Sequence, residues 1–186
     1  MRGLTPPQNP RGLVIFFTGL PGAGKSTLAR ALAGLLEQAG RVATLLDGDE
    51  VRRLLSSELG YSRAHRDLNV RRIGYVANEV ARHGGIAICA QIAPYAAARA
   101  EVRRSAGAAG RFVLVYVSTP LEVCEQRDPK HHYARARAGF LPGFTGVSDP
   151  YEPPEDADIS VETQNCTPLE AAQAIVARLR DDRLLD

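Results

Sequence analysis

The 186-residue sequence predicts an α/β fold, a parallel sheet of about five strands with helices on both faces and a lid segment. Three observations carry that prediction. Apolar runs of strand length alternate with stretches of helical periodicity along the whole chain. The first run, Leu13-Val-Ile-Phe-Phe17, is apolar without a break, as a strand buried on both faces requires. A glycine-rich turn then joins that run to a segment in which Leu28, Ala29, Leu32, Leu35 and Leu36 recur at helical spacing.

The remaining elements follow in order. Val42-Ala-Thr-Leu-Leu46 reads as a second strand, running into Asp47-Gly-Asp49. A helix starting near Asp49 carries Val51, Arg52, Leu54 and Leu55. Gly60 to Asp67 is a polar connection, and Val70, Ile73, Val76, Ala77 and Val80 mark a helix up to His83-Gly-Gly. Ile86 to Ala90 is a third strand, Ala96 to Ser105 a helix, and Phe112 to Val117 a fourth strand. Pro120 opens a short helix through Gln126, Ile159 to Val161 is a short last strand, and Leu169 to Leu179 a closing helix. Residues 127–154 show no clean period, and loops of that length are usually functional or disordered. Their Arg, Lys and His content favours a lid over bound phosphate, with a helical fragment at Tyr133–Ala138. Residues 1–12, with three prolines, read as a flexible arm or linker stub, leaving 13–186 as one domain.

Bulk properties exclude several classes. Apolar content of 45% and charged content of 24% are those of a soluble globular chain. A net charge of +2 gives no strong pull toward nucleic acid or membrane. No run reaches membrane-spanning length and no signal peptide is visible, so the expected compartment is the cytoplasm. Cys89, Cys124 and Cys166 are too far apart for a metal-ligand pattern, and the first two read as packing residues. Of 23 basic residues only Lys25 and Lys130 are lysine. Against that bias, Lys130 becomes a candidate for a place where a compact ammonium is wanted.

The first turn, Gly19-Leu-Pro-Gly-Ala-Gly-Lys-Ser-Thr27, fits G-x-x-x-x-G-K-[ST] in the strand–turn–helix setting where that pattern has a mechanism. Its backbone N–H groups and the positive end of the helix face one point, which suits a nucleotide phosphate. Gly22, Ala23, Gly24, Lys25, Ser26 and Thr27 are therefore the candidate ATP-binding residues. Lys25 would reach the β- and γ-phosphates, and the Ser26 hydroxyl would hold Mg²⁺, the expected cofactor. The fold narrows to that of the P-loop kinases. Ligands of such sheets sit at the carboxyl ends of the strands, so the P-loop, Asp47-Gly48-Asp49 and Gln91-Ile-Ala-Pro94 should converge.

A kinase needs a carboxylate at the acceptor hydroxyl. Asp47 and Asp49 are the candidates, on a second strand expected beside the P-loop strand, with one of them facing the crevice. Asp49 is expected to orient or deprotonate the acceptor and to touch Mg²⁺ through water; its alternative role is a helix N-cap. Arg52 lies one turn further on, and Arg63, Arg66, Arg71 and Arg72 follow as forks for an anionic acceptor or as a solvated helix face.

Six stretches then carry a family resemblance. Leu46-Asp-Gly-Asp-Glu-Val-Arg52, Arg66-Asp-Leu-Asn-Val-Arg-Arg72, Ile92-Ala-Pro-Tyr95, Thr119 to Lys130, Ala136-Arg-Ala-Gly139 and Gly143-Phe-Thr-Gly146 with Asp149-Pro-Tyr-Glu152 resemble adenylylsulfate kinases in order and spacing. The resemblance spans residues 13–180. It implies transfer of the γ-phosphoryl of MgATP to the 3′-hydroxyl of adenosine 5′-phosphosulfate (APS). It also implies that Asp49 serves the acceptor hydroxyl and that Arg52, Arg66 and Asn69 bind the phosphosulfate. Tyr61 and Phe144 flank the acceptor adenine, next to Gly143, while Ile92 and Ala93 give backbone contacts. Lys130 acts from the lid, and Arg127 and Cys166 neighbour the ATP adenine. A homodimer and an ATP sulfurylase partner or fusion are further implications.

The chain departs from the family pattern at five places. Ala93 replaces a serine, which excludes a phosphoserine there and favours direct transfer. His65 replaces an aspartate and Leu68 a glutamate. Lys130-His-His-Tyr133 replaces Lys-Gly-Leu-Tyr, and Gly139-Phe-Leu-Pro-Gly-Phe144 removes a charge pair. From the residues alone, two alternatives stay open: a kinase for another small-molecule hydroxyl, or a nucleotide-binding regulatory subunit without turnover.

Overall fold

The computed structural model describes residues 12–107 and 110–185. The arm predicted at 1–12 lies, but for Gly12, outside the described residues.

Five strands form one parallel sheet: β1 (Leu13–Thr18), β2 (Ala43–Asp47), β3 (Ile86–Ala90), β4 (Arg111–Val117) and β5 (Ile159–Val161), in the order β2-β3-β1-β4-β5. Seven helices among the described residues connect them: α1 (Lys25–Gln38), α2 (Gly48–Leu55), α3 (Arg63–Arg82), α4 (Ala96–Ala106), α5 (Leu121–Arg127), α6 (His132–Arg137) and α7 (Pro168–Asp181).

The apolar run of β1 has a clear cause. Alternate side chains point to opposite faces of a strand. Leu13, Ile15 and Phe17 enter a core with Leu28 and Leu32 of α1 and Ile175 and Leu179 of α7. Val14 and Phe16 enter a second core with Val70, Ile73 and Ala77 of α3 and Val102 of α4. All six residues of β1 are buried, and the one polar residue, Thr18 at its end, spends its hydroxyl on the Ile92 carbonyl at 2.7 Å.

Three of the boundaries that differ from the sequence reading change which residue starts or caps an element. Val42 stays outside β2 and is 84% exposed. The helix expected to begin near Asp49 begins at Gly48, and its N-cap is Asp47, whose carboxylate accepts the Asp49 N–H at 3.1 Å. The polar connection ends earlier, because Ser62 caps α3 and brings Arg63 into the helix. The topology corrects a fourth point: β3 lies between β1 and β2, so Asp47 does not end a strand beside the P-loop strand. A parallel neighbour needs a crossover, and the crossover through α2 and α3 delivers β3 into the middle.

Register aligns the strand ends. Ala90 stands opposite both Phe17 and Asp47, which brings the P-loop, the Asp47–Asp49 turn and the segment after β3 to one edge. The lid segment packs against that edge. Tyr133 of α6 is buried in the first core, and its hydroxyl donates to Pro21 O at 2.9 Å. No helix among the described residues is long and apolar enough to cross a membrane.

Candidate active site

A cavity of about 850 Å³ opens where those segments meet. Of the residues proposed from the sequence, Ala23, Gly143 and the arginines Arg63, Arg71 and Arg72 do not line it, and the others do. Ala23 is fully buried beneath the P-loop, and the Gly143 carbonyl points to Arg66 instead.

The P-loop takes its shape from glycine. Gly24 caps α1 at φ 98, a left-handed conformation that costs an L side chain energy, and no side chain caps this helix. The orphan N–H groups of the first turn are left for an anion. Lys25 is buried, and its Nζ donates to Gly19 O at 2.9 Å and to Leu20 O at 2.6 Å. Burial lowers its pKa to about 8, opposed by nearby Cys124, Asp49 and Asp47. A bound phosphate would replace those two carbonyls and favour the charged form.

Asp47 and Asp49 have different work. Asp47 is buried, caps α2 and pairs with Arg30 at 3.3 Å. That engagement leaves Asp49, 77% exposed at its side chain, as the carboxylate available to an acceptor. Lys130 of the lid is ion-paired with Asp49. His131, directly after Lys130, has φ 53. It stands at the position where the resembled pattern has glycine, so a bulky residue here holds a glycine conformation.

Three side chains gather around the Tyr61 loop. Arg52 Nη1 donates to Leu59 O and Gly60 O, both at 3.1 Å, and its guanidinium lies 4.7 Å from the Tyr61 ring centroid. His65 Nδ1 accepts the Gly60 N–H at 2.8 Å. Arg66 is buried: Nε donates to Tyr61 O at 2.8 Å, Nη1 to Thr145 Oγ1 at 2.8 Å, and Nη2 to Gly143 O. Asp149 lies 3.8 Å away and accepts from Tyr95 at 2.7 Å. Arg66 thus ties the Tyr61 loop to the lid. The other candidate forks sit elsewhere. Arg63 pairs with Glu152, Arg71 with Glu101 and Arg72 with Glu58, because successive α3 positions turn to other faces.

Phe144 lines the same cavity as Tyr61 and is held edge-on by Tyr133 at 5.0 Å and by His132 at 5.9 Å. The carbonyls of Ile92 and Ala93 accept from Thr18 Oγ1 at 2.7 and 3.2 Å, and Arg99 also donates to Ala93 O at 2.8 Å. These bonds hold Ala93 at φ 43.

Sequence reasoning missed two threonines that brace the P-loop. Thr119 and Thr163 both donate to Ala23 O, at 3.1 and 2.9 Å, and lie 2.8 Å from each other. Arg127 donates to Thr163 Oγ1 at 2.8 Å and to Thr163 O at 2.7 Å. The pair fastens the P-loop to the strand ends, and Thr163 holds Arg127 beside Gly24. Nothing in the sequence flags Thr163, whose role depends on where β5 ends. Cys166 is half-buried, with Sγ 3.2 Å from Glu162 O, and Cys89 and Cys124 are buried as packing residues.

The donor set fits Mg²⁺ of the kind carried by a nucleotide. Among the described residues no group of three or more His, Cys, Asp or Glu side chains could cage a metal. The Ser26 hydroxyl and the Asp49 carboxylate both line the cavity, and Mg²⁺ takes one or two protein oxygens besides phosphates and water.

Residues 11–162 match the family model of adenylylsulphate kinase. An adenylyl-sulfate kinase of Synechococcus sp. (strain JA-3-3Ab) is 49% identical over 170 residues, covering 91% of this chain and 95% of that protein. The structure of the Mycobacterium tuberculosis APS kinase CysC in complex with AMPPNP and APS superposes with a TM-score of 0.89 at 40% identity, covering 92% and 99% of the two chains. A sulfate adenylyltransferase of Aspergillus oryzae is 43% identical across this whole chain, which spans 33% of that longer protein. The P-loop, the Asp49 carboxylate left out of the helix cap and the arginines around Tyr61 are thus those of a kinase, and the chain belongs to the adenylylsulphate kinase family.

Proposed function

We propose that this chain transfers the γ-phosphoryl group of MgATP to the 3′-hydroxyl of APS, making 3′-phosphoadenosine 5′-phosphosulfate, in the cytoplasm. The observation that carries the reading is the placement of Asp49. Its carboxylate stands free of the helix cap, in the same cavity as Lys25, and meets the lid through Lys130.

In this reading Gly22, Gly24, Lys25, Ser26 and Thr27 hold the ATP phosphates, with Ala23 fixed below them by Thr119 and Thr163. Ser26 and Asp49 are the residues that would hold Mg²⁺, Asp49 through water, and the ion would neutralise charge on the transferred group. Arg127 and Cys166 neighbour the ATP adenine. Arg52, Arg66 and Asn69 receive the phosphosulfate, and Tyr61 and Phe144 flank the acceptor adenine, whose two faces offer π-contact. Gly143, Ile92 and Ala93 shape the backbone around it. Asp49 then takes the hydroxyl proton as the oxygen attacks, and Lys130 leaves Asp49 for the phosphoryl oxygens. Ala93 offers no hydroxyl, so transfer is direct.

Residues 13–186 form one kinase domain with 127–154 as its lid. A homodimer and an association with an ATP sulfurylase also follow from the resemblance; the Aspergillus oryzae relative supports the second, since its name is that of the sulfurylase. Sedimentation of the purified chain, alone and with a sulfurylase, checks both.

The deciding experiment is coupled detection of ADP release from MgATP with and without APS. Release that requires APS and collapses in Asp49→Ala supports the reading. ATP binding without APS-dependent release overturns it and favours a regulatory subunit.

A further inference from the structure

Gln91 is the first residue after β3, next to Ala90, which stands opposite Phe17 and Asp47. It therefore sits between the P-loop strand and the Asp47–Asp49 turn, and it lines the cavity. Ala87 and Cys89 of β3 pack into the core on the α3 side, and by strand alternation Gln91 continues that row. Gln91 is only 5% exposed, yet neither Oε1 nor Nε2 has a hydrogen-bond partner. On α3, Asn69 lines the same cavity, is equally buried, and its Oδ1 is also unpartnered. Unpaired buried amides cost free energy that an apolar side chain of the same shape would not, so each one calls for a partner.

The acceptor side already has guanidinium groups, which donate hydrogen bonds and accept none. A nucleotide brings hydroxyls as well as anionic oxygens, and its hydroxyls need acceptors. The unpaired atoms include Gln91 Oε1 and Asn69 Oδ1, the kind of group that Arg52 and Arg66 lack.

We propose that Gln91 is a further acceptor-binding residue, whose carboxamide, closed off in the nucleotide-free protein, turns into the cavity to accept from a hydroxyl of the acceptor nucleotide and donate to one of its oxygens. The inference rests on the kinase reading above and adds a residue to that site. Gln91 binds the acceptor rather than ATP, and it sets acceptor affinity without taking a proton.

The test compares wild type, Gln91→Met and Gln91→Glu, with APS and ATP varied separately and melting followed with and without APS. Gln91→Met keeps the length and removes the hydrogen bonds. It is expected to raise KM for APS about tenfold and leave KM for ATP within about twofold. Its melting temperature without ligand is expected not to fall, while the stabilisation by APS shrinks. Gln91→Glu raises KM for APS further, because its charge opposes the phosphosulfate. An unchanged KM for APS in Gln91→Met, or equal rises in both KM values, overturns the proposal. Should Gln91→Met fail to fold, the shortened amide of Gln91→Asn carries the same KM comparison. Wild type without APS-dependent turnover overturns the kinase reading itself, and is told apart because the unmutated chain is then already inert.

Discussion

Lys130 and Asp49 are ion-paired although 81 residues separate them, and both line the nucleotide cavity. Their side chains are 55% and 77% exposed, so the pair contributes only about 0–1 kcal/mol to stability. It has a functional consequence instead. With Lys130 on Asp49 the carboxylate is engaged, and an acceptor hydroxyl needs that engagement broken. Lys130→Ala is expected to lower kcat about 100-fold, by removing charge stabilisation of the transferred group, while melting moves little. A large loss of thermal stability with normal kcat would contradict this.

Asp49→Asn tests the partner. The amide keeps the size but cannot take a proton, and the loss in kcat expected for a general base is about 10²–10⁴-fold. Because Asp47, not Asp49, caps α2, the helix should persist and ATP affinity should hold. Circular dichroism and nucleotide titration check both.

Lys25 gives a pH dependence. Burial lowers its pKa from the ordinary 10.5 to about 8, so between these values the free folded protein holds fewer protons than the unfolded chain. Lys25 therefore makes the nucleotide-free protein more stable as pH rises through that window. ATP acts in the opposite sense, since phosphate favours the charged ammonium. ATP binding should take up a proton above pH about 8 and weaken as pH rises, by up to about tenfold per unit. Calorimetry in two buffers of different ionisation enthalpy reads the proton directly; a pH-independent affinity with no proton uptake would refute it.

Arg66 joins the Tyr61 loop to the lid through Tyr61 O, Thr145 Oγ1 and Gly143 O. A lysine cannot make that fork. Arg66→Lys is expected to cost about 2–4 kcal/mol in denaturant unfolding, since buried acceptors lose a charged donor. KM for APS should rise at least about tenfold, with a smaller effect on ATP.

Gly74 marks where α3 and α4 approach. A Cβ there would lie 2.6 Å from Val102 Cγ2 and 2.7 Å from Cγ1. Valine is stiff at χ1, so the helices must part. Gly74→Ala is expected to destabilise the chain by about 1–3 kcal/mol without changing the ratio of the two KM values.

The sequence by itself determined the strands, the P-loop and most of the cavity wall. β3 and β5 fall where their apolar runs fall, and β1 is legible because both of its faces are buried. These are local signals: a period, a glycine turn, a cap residue. The tertiary structure decided what depends on strand order and on contacts between distant segments. It placed β3 between β1 and β2, made Asp47 the cap and freed Asp49. It separated Arg66 from Arg63, Arg71 and Arg72, alike in sequence but turned to different faces of α3. Thr163 reached the P-loop and Gln91 the cavity only once β5 and β3 had brought their ends there. Side chains on neighbouring strand ends meet through sheet register, and register is set by the packing of the whole core, which no short stretch of sequence contains.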